Sequence, residues 1–112
     1  MFTAEYVSSW FFAFAFTQIV EIPIYRRFFR CSVLRAFGAT ALTHPVVWFV
    51  IFPRWDASYL VKSVGAEVFA WWVEAAYFAW TAGFRKAITG AFVANCASVG
   101  LGLLSRYLFG AP

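Results

Sequence analysis

Phe69-Ala70-Trp71-Trp72-Val73-Glu74-Ala75-Ala76-Tyr77-Phe78-Ala79-Trp80 is a dozen residues of aliphatic and aromatic bulk with one carboxylate in the middle. Strict apolar–polar alternation is absent, and the apolar run is too long for a barrel strand. The segment therefore reads as a helix, and the window that contains it extends from about Val64 to Gly83. That length suits a helix crossing a hydrocarbon layer, which takes roughly 20 residues.

Three further windows of the same kind surround it: about Tyr6 to Tyr25, Val33 to Phe52 (stopping at Pro53), and Ala87 to Leu108. The expected fold is all-α, a four-transmembrane-helix bundle in a single domain over residues 1–112. The composition agrees, since 63% of the chain is hydrophobic and only 12% charged. A soluble domain of this size has a large surface relative to its volume and needs polar groups to cover it. Met1-Phe2-Thr3-Ala4-Glu5 lacks the basic region of a signal peptide, so the first run is expected to stay as a span.

Lys and Arg in short connections set orientation. Arg26, Arg27, Arg30, Arg35, Arg85 and Lys86 fall on one side, whereas Arg54, Lys62 and Arg106 fall on the other. Both hairpin loops are thus expected in the cytoplasm, with the termini and the middle loop outside. The net charge of +4 follows from these flanking residues and not from a basic face of the sort that binds nucleic acid. In the middle loop, Trp55 and Tyr59 suit the headgroup region, and Tyr59 to Lys62 reads as an interfacial segment.

The two hairpins resemble each other. Glu21 with Tyr25 corresponds to Glu74 with Phe78, and matching Arg35 to Lys86 sets His44 opposite Asn95, with a two-residue gap. Two tandem hairpins of one topology would be related by a pseudo-twofold axis along the membrane normal, as parallel repeats are in transporters.

A carboxylate at membrane depth is costly, by about 2.5 to 3.5 kcal/mol on insertion scales. Glu74 lies too far from either end of its span to reach water, so it needs a proton, a polar partner or a wet cavity. Glu21 lies nearer the cytoplasmic end, within expected reach of Arg26. Helical spacing gives every span one polar stripe: Thr17, Gln18, Glu21 and Tyr25; Thr40, Thr43 and His44; Glu67, Glu74, Tyr77 and Thr81; Asn95 and Ser98. Turned inward, the stripes make a polar cluster, for which Glu21, Thr43, His44, Glu74, Asn95 and Ser98 are the candidates. Pro23 and Pro45 each remove a backbone donor and are expected to bend their helices.

Small residues recur every four positions at Gly90, Ala94, Ser98 and Gly102, and again at Ala75, Ala79 and Gly83. Such seams admit another backbone at close range, in the same chain or in a neighbour.

A single histidine, His44, excludes a two-histidine haem site within one chain. The spacing of Glu21, His44 and Glu74 does not demand a metal. Ser98, Cys96, His44 and Glu74 lie on different spans and do not form a hydrolase signature. Cys31 and Cys96 read as unpaired thiols. No phosphate loop, dinucleotide fingerprint or glycosylation site occurs, the Phe and Trp residues read as lipid-facing or partner-facing bulk before a cofactor box, and no cofactor is expected. The intramembrane Glu, the basic loop and the following Thr-His-Pro or Asn-x-x-Ser resemble small bacterial inner-membrane proteins, which implies an inner (cytoplasmic) membrane location and no particular activity. Two functions fit. One is a non-enzymatic membrane protein working as a homo-oligomer or as a subunit of a larger membrane complex. The other is a small channel or carrier whose path is lined by Glu21, His44, Glu74 and Asn95.

Overall fold

Side-chain hydroxyls open the first three helices. In the computed structural model, which describes residues 2–109, Thr3 accepts the Tyr6 amide at 3.0 Å and opens α1, Ala4–Phe29. Arg30 closes it in the left-handed conformation at φ 52°, and Ser32 accepts the Arg35 amide to open α2, Val33–Arg54. Ser58 does the same for Val61 at the start of α3, Tyr59–Ala82. Thus Tyr59 to Lys62, expected as a separate interfacial segment, forms the first turn of α3. Only Gly83 separates α3 from α4, Phe84–Phe109. At φ 88° and ψ 156° Gly83 occupies a region essentially closed to residues with a side chain. That conformation is what allows two long helices to be joined by one residue.

The prolines act differently from one another. Pro23 lies inside α1. Within α2, the α-helix Val33–Val46 passes into a π-helical turn, Val47–Ile51, and returns to α-helical geometry at Phe52–Arg54. Pro45 and Pro53 flank this turn. The Phe52 amide bonds to the Val47 carbonyl, so in the same wide register Pro53 lacks the amide that would reach Trp48. The Tyr6 hydroxyl donates to the Trp48 carbonyl instead, satisfying it from α1.

The helices pack in a ring in which α1 borders α2 and α4, and α3 borders the same two. Sequence neighbours run antiparallel, as short connections require. The longest dimension is 38 Å, which matches a 26-residue helix at a rise of about 1.5 Å per residue. At the centre, Tyr25 of α1 and Phe78 of α3 meet across the ring with centroids 4.6 Å apart. Ala36 and Ala39 of α2, with Ala87 and Ala94 of α4, close around them. Large rings on one diagonal thus meet small side chains on the other, which lets all four helices approach.

Outside, the pattern is inverted relative to a water-soluble domain. Phe11, Phe12, Ile19, Leu34, Leu42 and Leu60 are exposed, and Trp80 is 93% exposed. The buried interior, by contrast, holds Gln18, Glu21, Thr40, Thr43, Glu74 and Asn95. Contiguous apolar surface on this scale requires an apolar environment or a partner. Three helices, Ala4–Phe29, Val33–Arg54 and Phe84–Phe109, are long and apolar enough to cross a membrane. The remaining helix, α3, is 24 residues long but carries Lys62, Glu67 and Glu74.

Candidate functional site: a buried carboxyl cluster

Glu74 is supplied by every other helix of the bundle. Its Oε1 accepts from the Tyr25 hydroxyl of α1 and from Asn95 Nδ2 of α4 at 3.1 Å. Its Oε2 accepts from Thr43 Oγ1 of α2 at 2.6 Å. Glu21 accepts from Thr40 Oγ1 at 2.9 Å. The two carboxyl groups are neighbours in the buried interior. Glu21 is 2% exposed and Glu74 1%. Both therefore sit where an unmade hydrogen bond is costly, and their partners are hydroxyls and an amide. Glu67 lies two turns along α3 from Glu74 on the same face and is less deeply enclosed.

Local geometry explains the convergence. Glu21 and Tyr25 are four apart on α1, so they share a face, as do Thr40 and Thr43 on α2. Antiparallel packing then aligns Glu21 with Thr40 and brings Thr43 to Glu74. Asn95 is held from behind, since Nδ2 also reaches the Ala91 carbonyl at 2.8 Å. Thr43 Oγ1 retains a weaker contact with the Thr40 carbonyl at 3.4 Å.

Of the six candidates, Glu21, Thr43, Glu74 and Asn95 meet in this network. His44 does not share it. Its ring packs against Phe14 and Trp48, Nε2 lies 3.4 Å from Thr17 Oγ1, and Nδ1 is buried with no partner. Helical rotation decides this, because Thr43 takes the inward position and its neighbour is turned about 100° away, towards the α1–α2 seam. Ser98 is half-buried and lies one turn beyond Asn95, towards the far end of α4, with no hydrogen bond to the cluster. Tyr25 and Thr40 belong to the network although only their stripes, and not their roles, were legible in the sequence. Glu21 does not pair with Arg26, whose Nε donates to the Cys31 carbonyl at 3.3 Å.

A second link ties α2 to the end of α3. Arg35 Nη2 donates to the Tyr77 carbonyl and to Thr81 Oγ1, each at 3.1 Å, while its guanidinium lies over the Tyr77 ring. Tyr77 returns a hydrogen bond from its hydroxyl to the Arg35 carbonyl at 3.0 Å. Gly38 makes this possible, because a Cβ there would stand 2.5 Å from the Tyr77 oxygen. Trp71 is likewise tied down, donating to the Ile88 carbonyl at 2.9 Å.

The seam on α4 is occupied within the chain. Gly90 lies beneath Phe28 and Phe29, Ala94 is fully buried, and Gly102 faces Phe16. The contacts at Gly90 and Gly102 come from α1. Buried positions repeat between the hairpins, with Ala36, Ala39, Thr40 and Thr43 of α2 standing as Ala87, Gly90, Ala91 and Ala94 do on α4. Among the described residues, no three His, Cys, Asp or Glu side chains converge to hold a metal ion. Two grooves, of 680 and 450 Å³, open among the arginines at the end where the hairpin loops lie, and no residue of the cluster lines either. Neither family models, curated proteins nor solved structures give a match to this chain.

Proposed function

We propose that the chain is a small, non-enzymatic integral membrane protein with four spans, in which the Glu21–Glu74 cluster is a polar clasp. It works as an oligomer or as a subunit of a larger membrane complex. The observation that carries this reading is that Glu74 accepts hydrogen bonds from all three other helices at once. A carboxylate engaged in this way holds the helices in register and directs no free donor or acceptor at a substrate.

Counting α3 as the fourth span is supported by its geometry. Glu74 is enclosed, whereas Val64, Val68, Trp72 and Trp80 on its outer face are exposed and apolar. The loops at Arg30 and Gly83, with their arginines and Lys86, belong in the cytoplasm on charge, which leaves both termini outside, in a bacterial inner membrane. A pseudo-twofold relation between the hairpins is supported by the facing pairs Glu21 with Glu74 and Tyr25 with Phe78. Because the α4 seam is taken up by α1, a partner would meet the aromatic outer faces. The apolar exterior and the very short connections leave little other surface for recognition.

Cross-linking in native membranes, followed by purification in mild detergent, tests this. A defined multimer or a constant copurifying membrane chain is expected, and a monodisperse monomer without partners would overturn the reading. Orientation is tested separately: a membrane-impermeant thiol reagent should reach Cys31 in inverted vesicles but not in intact cells.

A second reading, a channel or carrier using Glu21, His44, Glu74 and Asn95, is favoured by three unsatisfied buried atoms, Trp10 Nε1, Gln18 Oε1 and His44 Nδ1. Buried polar atoms without a protein partner are places where water is expected. Flux through proteoliposomes should fall in Glu74→Gln or His44→Ala if that path conducts. Equal flux in both variants and wild type would remove it.

A further inference from the structure

The end of the bundle that carries the hairpin loops is unlike the rest of the surface. The smaller groove runs between α1 and α4 and is lined by Ile24, Arg27, Phe28, Lys86 and Val93. Ile24, Arg27 and Phe28 share one face of α1, and Lys86 and Val93, seven apart, share one face of α4. Lys86 stands about 10 Å nearer the loop end than Val93 at the helical rise of about 1.5 Å per residue. The groove is therefore cationic at its mouth and apolar along its floor. Beside it, Gly90 lets Phe28 and Phe29 lie directly on the α4 backbone.

Neither Arg27 nor Lys86 has a hydrogen bond or ion pair within the chain among the described residues. Among their basic neighbours, Arg26 is held by the Cys31 carbonyl and Arg35 by Tyr77 and Thr81, whereas Arg30 and Arg85, like Arg27 and Lys86, have no such bond among the described residues. No acidic side chain lines the groove, and Arg27 also borders the adjoining groove with Arg26 and Arg30. Two unpaired cations therefore border an open, largely apolar groove between α1 and α4.

The geometry points to a binding site for one anionic phospholipid, its phosphate between Arg27 and Lys86 and an acyl chain along Ile24, Phe28 and Val93. This rests on the proposed membrane location, because the apolar floor then faces the acyl region and the cations face the headgroup layer. Basic pockets between spans on the cytoplasmic side hold anionic headgroups by the same charge pairing. A free phosphate would use the cations and leave the apolar floor unfilled, which is why the lipid is the occupant.

The test equilibrates the purified full chain with vesicles of equal phosphatidylglycerol and phosphatidylcholine, then reads retained lipid by native mass spectrometry. Wild type is expected to retain phosphatidylglycerol preferentially. Each basic residue near an anionic lipid contributes about fivefold, so Arg27→Gln with Lys86→Gln should reduce the preference by about thirtyfold. Arg54→Gln, at the opposite end, should leave it unchanged. Because the two mutated side chains have no polar partner in the chain, thermal unfolding should stay as in wild type, which separates lost binding from lost folding. Equal retention of both lipids, a preference that survives the double substitution, or displacement of the lipid by millimolar inorganic phosphate would each overturn the site. A chain that never partitions into membranes would overturn the membrane location instead, a result distinct from an embedded chain without lipid preference.

Discussion

Replacing Glu74 by alanine removes the one acceptor on which three helices converge. The Tyr25 hydroxyl, Thr43 Oγ1 and Asn95 Nδ2 all lose a partner together. Interhelical hydrogen bonds within membranes contribute about 0.6 to 1.7 kcal/mol each, so the three together set an upper range of about 2 to 5 kcal/mol. The loss is not uniform. Asn95 keeps the Ala91 carbonyl and Thr43 keeps the Thr40 carbonyl, whereas the Tyr25 hydroxyl loses the one acceptor it has in the structure. Adding the void left beside Phe78, the net destabilisation is expected at about 2 to 4 kcal/mol. Glu74→Gln should cost about 1 kcal/mol or less, because the amide oxygen still serves Tyr25 and Asn95, and Thr43 need only turn to accept. Reversible unfolding in bicelles, by steric trapping or by titration with a denaturing detergent, measures both. The ordering wild type, Gln, Ala is the expected outcome. An alanine variant as stable as wild type, or more so, would refute the clasp, since a polar cluster kept at a cost to stability is the mark of a working site.

Gly83→Ala should destabilise the chain by about 1 to 3 kcal/mol, read in the same unfolding assay, because the single-residue joint between α3 and α4 uses a conformation that a Cβ obstructs. Arg35→Gln should loosen the end of α3, seen as faster hydrogen exchange at the amides around Thr81 with little change around Ala66. Tyr6→Phe leaves the Trp48 carbonyl without a donor and should cost about 1 kcal/mol. If the π-helical turn tightens to an α-helical one in that variant, amide exchange between Val47 and Ile51 will slow and not quicken.

The polar stripes were legible because a helix repeats every 3.6 residues. Glu21 with Tyr25, Thr40 with Thr43, and Glu67 with Glu74 each stand on one face whatever the helix packs against. Which stripes touch was not legible. Thr43 and His44 are adjacent in sequence, and a rotation of the helix by one position would have exchanged their roles. Likewise the series Gly90, Ala94, Ser98 and Gly102 announces a close approach without naming the partner, and the partner is α1 of the same chain. Arg26 had equal grounds to reach towards Glu21 or to turn back to the loop. It turned back because the left-handed residue Arg30 folds the Cys31 carbonyl towards it.

The sequence by itself determined that the chain is helical and that its exterior is apolar. Both are local properties, set by runs of about 20 mostly apolar residues with a polar stripe at helical spacing. Tertiary structure alone decided that Glu74 would be the common acceptor of three helices and that His44 would be set aside. Those outcomes depend on rotation and depth between helices, which are set by how Ala36, Ala39, Ala87 and Ala94 close on the rings of Tyr25 and Phe78. Such packing is a property of four surfaces together, and no single segment encodes it.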